Sequence, residues 1–127
     1  MKYMLLIYAD QSNLPEFTPE ERLASVQEWS AVMSEMKTAG ILLGNDGLAP
    51  VEDATSVRFR DGKAIIADGP FAETHEQLGG YIMLECKDLD EALSWAVRLP
   101  GAKFGTIEVR PINTYTQARD AAAARNA

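Results

Sequence analysis

Cys86 is the single cysteine of the chain and His75 its single histidine. A lone cysteine excludes an internal disulfide and any paired-cysteine zinc site, and its apolar neighbours read as those of a buried, inert thiol. Cations are scarce: 12 Lys and Arg stand against 19 Asp and Glu, for a net charge of −7. Such a surface has no basic field for a phosphate backbone, so nucleic acid is not an expected partner. No run approaches the ~18 apolar residues that cross a bilayer. The apolar start, residues 1–8, is too short for a signal peptide and is soon broken by Asp10. A cytoplasmic protein without a membrane partner is expected. There is no nucleophile elbow, no glycine-rich phosphate loop and no dinucleotide fingerprint, hence no expected cofactor.

What the chain does have is apolar material, at 46% of 127 residues, enough for one packed domain. Residues 2–8 form a strand apolar on both faces, with Tyr3, Leu5 and Ile7 on one and Met4, Leu6 and Tyr8 on the other. Thr18-Pro19-Glu20-Glu21 predicts a helix start with a capping box and proline at its first position. Leu23, Val26, Trp29, Met33 and Met36 give that helix one apolar stripe, and Gly40 ends it. Residues 41–43 read as a short strand and 44–47 as a turn or bulge. The runs 55–60 and 63–67 flank Asp61-Gly62, a strong hairpin signal that sets Phe59 opposite Ala64 and Val57 opposite Ile66. Residues 81–86 read as a central strand. Asp88 caps a second helix whose apolar face is Leu89, Ala92, Leu93, Ala96 and Val97, stopped by Pro100-Gly101. Residues 106–112 form a last, alternating strand. The domain spans 1–113, and 114–127 is an Ala-rich tail expected to form at most a short, fraying helix.

The order β-α-β, hairpin, β-α-β predicts a ferredoxin-like α+β fold, an antiparallel sheet with two helices on one face. Two helices cover one face only, yet two strands are apolar on both. The uncovered face calls for a twofold-related copy, so a homodimer is expected. If Ile107 and Val109 face the helices, Glu108 and Arg110 point into the space between the two sheets. There they pair as a structural element or line a polar cavity.

The densest stretch is Asp68-Gly69-Pro70-Phe71-Ala72-Glu73-Thr74-His75-Glu76-Gln77-Leu78-Gly79-Gly80, followed by Tyr81. It resembles the DGPF motif of the YCII-related proteins, with His75 where lysine is usual. Residues 2–8 and 108–112 resemble the same family. The resemblance implies a YCII-related DGPF domain and a dimeric α+β barrel. It also suggests a regulatory association, since family members are often encoded near, or fused to, extracytoplasmic-function sigma factors. No such segment occurs in 1–127, so a partner of that kind would be a separate protein.

Asp68 either starts a turn, as Asp commonly does, or aims its carboxylate at a cleft. His75 near Asp68, Glu73 or Glu76 would suit a general base, or is a solvated loop residue balancing negative charge. A proton-transfer role near neutral pH need not be shared by lysine and histidine. One histidine with carboxylates makes a poor metal set, and no metal is expected. Tyr81 either packs or turns its hydroxyl to the same cleft. The expected function is a small homodimeric, enzyme-like domain acting on a small polar metabolite. Asp68 and His75 would be the proton-transfer pair, with Glu73, Glu76, Tyr81, Glu108 and Arg110 around the ligand. The alternative is a non-catalytic ligand-binding or regulatory module working with a separate partner.

Overall fold

β1 (Lys2–Ala9) runs through the middle of a four-stranded antiparallel sheet, and its two apolar faces are the reason it lies there. It pairs with β5 (Gln77–Glu85) on one side and β6 (Thr106–Pro111) on the other. β2 (Leu42–Gly47) closes the far edge beside β5, giving the order β2-β5-β1-β6. With α1 (Pro19–Thr38) and α2 (Leu89–Ala96) joining the strands, this is the ferredoxin-like α+β plan. The structure is a computed structural model that describes residues 1–113, 119 and 122–124. The expected character of the 114–127 tail therefore lies largely outside the described residues. Among the described residues, no helix is long and apolar enough to cross a membrane.

Helix α1 begins as the sequence predicts. Thr18 Oγ1 accepts from Glu21 N at 3.1 Å, and Glu21 Oε1 accepts from Thr18 N at 3.3 Å. At its other end Gly40 takes a φ of 73°, with Gly40 N donating to Lys37 O and Ile41 N to Met36 O, a Schellman closure. The buried core joins Tyr3, Leu5, Ile82 and Leu84 of the sheet to Val32 and Met36 of α1 and Ala92 and Ala96 of α2. Both helices thus cover the same face.

The helical stripes are narrower than their periodicity predicts. Leu23 and Val26 are exposed, whereas Val32, outside the expected stripe, is buried. The start of α1 leans on the turn at Pro100–Lys103 instead: Phe17, just before the helix, meets Phe104, just after the turn, edge-on at 5.1 Å, and Glu28 of the helix pairs with Lys103. In α2 the buried pair is Ala92 and Ala96, which lets the backbone approach the sheet, while Leu89, Leu93 and Val97 stay exposed. The 44–47 segment departs from the expected turn. A bulge at Leu42/Gly44 re-registers the chain, and pairing then continues to Gly47, because β5 offers a long edge to bond.

The hairpin of β3 (Thr55–Arg60) and β4 (Lys63–Asp68) forms a second, separate sheet with the expected register. Asp61 and Gly62 both have positive φ, as a two-residue type I′ turn requires. Its apolar face is not packed: Val57, Phe59 and Ile66 are 60%, 68% and 69% exposed.

Candidate functional site

The face of the main sheet turned away from the helices carries the chemistry. Cross-strand register sets Asp46, Tyr81, Leu6 and Glu108 in one row across all four strands. The next row reads Gly44, Met83, Met4 and Arg110. Toward the 68–80 segment, Leu78, Tyr8 and Thr106 form a third. Half-buried Met4, Leu6, Tyr8, Tyr81 and Met83 make this face apolar at its centre and polar at its edges. Glu108 and Arg110 pair with each other there, Arg110 Nε to Glu108 Oε1 at 3.8 Å. Tyr81 donates its hydroxyl to Asp46 Oδ2 at 3.2 Å. That bond and the charge of Asp46 hold the phenol's pKa above its ordinary value.

Residues 69–76, which connect β4 to β5, arch over the end of this face. Gly69, with a φ of 91°, turns the chain out of β4, and Gly69 N donates to Ala54 O at 2.6 Å. Ser56 Oγ donates to Gly69 O, and Arg58 donates to Phe71 O at 2.9 Å while its guanidinium lies 5.9 Å from the centre of the Phe71 ring. Beneath the arch is a cavity of about 310 Å³, with Tyr8, Phe71, Glu76 and Leu78 among its walls. Gln11 braces it: its main-chain N–H donates to Gln77 Oε1 and its side chain accepts from Val51 N. A second cavity of about 260 Å³ lies in the seam between α1 and the sheet, against Trp29, Met33 and Ile82. Its walls run from Ile7, Trp29, Met33 and Ile82 at the core to residues 45–47 and 79–81 of β2 and β5, Asp46 and Tyr81 among them.

The predicted site residues are distributed unevenly around this arrangement. Glu76 lines the cavity and accepts from Thr106 Oγ1 at 2.7 Å. Asp68 ends β4, exposed, and no hydrogen bond or ion pair joins it to His75 among the described residues. His75 is also exposed, at 89% of its side chain, and its carboxylate neighbour is Asp10, Nδ1 to Oδ2 at 3.9 Å. Glu73 is exposed. Tyr81, Glu108 and Arg110 share the open face but do not line this cavity. Among the described residues, no group of three or more His, Cys, Asp or Glu is placed to hold a metal ion.

Tyr8, Asp10, Asp46 and Arg58 join the site only in three dimensions, whereas Phe71 belongs to the motif, where the sequence assigns it no role. Tyr8 had a readable signal, since it alternates onto the same face of β1 as Leu6. Asp10 follows the end of β1 by one residue but meets a loop 65 positions away.

A family model for the YCII-related domain matches residues 1–116. An uncharacterised protein of Rhizobium meliloti (strain 1021) is 39% identical over 117 residues, covering 91% of this chain and 94% of that one. Among solved structures, the chain is similar to 5-chloro-2-hydroxyhydroquinone dehydrochlorinase (TftG) from Burkholderia phenoliruptrix AC1100, in complex with 2,5-dihydroxybenzoquinone. That likeness has a TM-score of 0.46 at 10% identity, over 91% of this chain and 97% of the other. With that family model over residues 1–116 and the Rhizobium relative at 39% identity, the chain belongs to the YCII-related domain family.

Proposed function

We propose that this protein is a homodimer, paired through the open face of its sheet, that takes a small polar metabolite into the cavity under each 68–80 segment. The observation that carries the reading is that cavity itself. Its volume of about 310 Å³ suits a small molecule, and the family's own motif forms its roof. The half-buried apolar centre of the open face supports a twofold partner. In the enzyme-like form, Asp68 and His75 transfer protons at the cavity rim, with Asp10 orienting the imidazole. Glu73, Glu76, Tyr81, Glu108 and Arg110 set the polarity around the ligand.

The absence of any bond between Asp68 and His75 among the described residues, together with the exposure of His75, favours a second reading. In it the same cavity binds without turnover and the dimer acts as a ligand-dependent module. One pair of measurements separates the two. Sedimentation of the protein and of its Leu6→Glu variant tests the dimer, which the variant should dissociate; a monomeric wild type ends the dimer proposal. Metabolites that shift the amide signals of 68–80 are then assayed with Asp68→Asn and His75→Gln. Turnover lost with binding retained marks an enzyme, and binding without turnover in the wild type marks the module.

A further inference from the structure

The polar atoms of the arch cavity are not equally available, and their bookkeeping points to one kind of ligand. Gln77 is fully engaged: its Oε1 accepts from Gln11 N at 2.8 Å and its Nε2 donates to Thr74 O at 2.6 Å. Thr74 donates its hydroxyl to Glu76 O at 2.6 Å. Of the Glu76 carboxylate, Oε1 accepts from Thr106 and Oε2 has no partner among the described residues. The Tyr8 hydroxyl is likewise without one. Among the described residues Glu76 is the one charged side chain that lines the cavity; the rest of that wall is largely ring and aliphatic surface, including Tyr8, Phe71, Val51 and Leu78. Arg58, a cation that reaches this loop, is engaged with the Phe71 carbonyl and ring and does not line the space.

We infer that the cavity selects a small ligand with a flat apolar body and a cationic amine, whose nitrogen is anchored on Glu76. This rests on the cavity being the binding site. A carboxylate or phosphate ligand would meet the Glu76 charge with no counter-charge among the described residues of the wall. A wholly apolar ligand would displace water from the free Glu76 oxygen and leave it unpaired. An ammonium answers both demands with a charge-assisted hydrogen bond, and the faces of Tyr8 and Phe71 favour a cation beside them. The Tyr8 hydroxyl supplies a second polar contact.

Three compounds that share a phenol ring test this: tyramine, 3-(4-hydroxyphenyl)propionate and 4-ethylphenol. They are titrated into the full chain at neutral pH by calorimetry, with amide shifts of 68–80 recorded. Tyramine should bind at least about tenfold more tightly than either of the others, a gap of about 1.4 kcal/mol. Glu76→Gln, which keeps an acceptor for Thr106, should remove that gap by weakening tyramine, while 4-ethylphenol binds no worse than before because a neutral amide costs less to desolvate than a carboxylate. Equal or tighter binding of the propionate overturns the proposal, as does a tyramine affinity indifferent to Glu76→Gln. In both cases shifts confined to 68–80 leave the cavity intact as the binding site. If none of the three binds, or the shifts lie elsewhere, the inference and the reading beneath it fall together.

Discussion

The guanidinium of Arg58 holds Phe71 twice, donating to its main-chain carbonyl at 2.9 Å and lying 5.9 Å from the centre of its ring. One side chain on the hairpin thereby fixes the roof of the cavity. Arg58→Ala should release the arch without unfolding the domain. Amides of 69–74 should exchange faster with deuterium, while global stability falls by no more than about 1 kcal/mol. Arg58→Lys should not restore protection, because an ammonium lacks the planar fork that bonds and stacks together. Unchanged exchange in Arg58→Ala would show that the arch is held by other means.

Gly105, immediately before β6, packs tightly against the end of β1. A Cβ there would overlap the carbonyl oxygen of Tyr8 and come within 3.1 Å of the Ala9 Cα. Gly105→Ala must therefore push β6 away from the end of β1 that carries Tyr8. A loss of about 1–3 kcal/mol in urea denaturation is expected, as for other overpacked sites. Gly44→Ala is the control: nothing lies within 4 Å of its Cβ, and it should stay within about 0.5 kcal/mol of the parent.

Tyr81 should titrate late. Its hydrogen bond to Asp46, reinforced by that carboxylate's charge, raises its pKa above 10.0. A raised folded-state pKa means that the neutral phenol is the form the fold favours. Its contribution is present below about pH 10 and is lost as pH climbs through the folded value. Tyrosinate absorbance, taken as the difference between the protein and its Tyr81→Phe variant, measures this directly. Asp46→Ala should bring the midpoint back toward the ordinary value, and a midpoint that ignores Asp46 would discount the pair.

The features legible in the chain were those set by neighbours in sequence. Thr18 and Glu21 specify a helix start by a bond across three residues, and Asp61-Gly62 specifies a hairpin because few residues tolerate two successive positive φ angles. The two apolar faces of β1 likewise located it inside a sheet. Periodicity says which side of α1 is apolar, but not that its start leans on the 100–103 turn and leaves Leu23 and Val26 in water. Nor could Gly44–Gly47 announce itself as strand, since its pairing is dictated by β5. The site was legible as a stretch and not as a set of contacts. Glu76 proved to line a cavity, whereas the neighbour of His75 is Asp10, supplied by a distant turn.

The bond from Gly69 N to Ala54 O closes the base of the hairpin so that the chain leaves and re-enters the domain at nearly one point. An insertion with its ends already touching places little demand on the sheet that carries it, since removing it opens no gap that a short linker could not span. The 55–68 hairpin is in that sense an appendage that can lengthen, shorten or change its exposed face while the four-stranded body stays as it is. Variation there would retune whatever meets Val57, Phe59 and Ile66 and, through Arg58, the roof over Glu76. The body would supply the architecture and the appendage the selectivity.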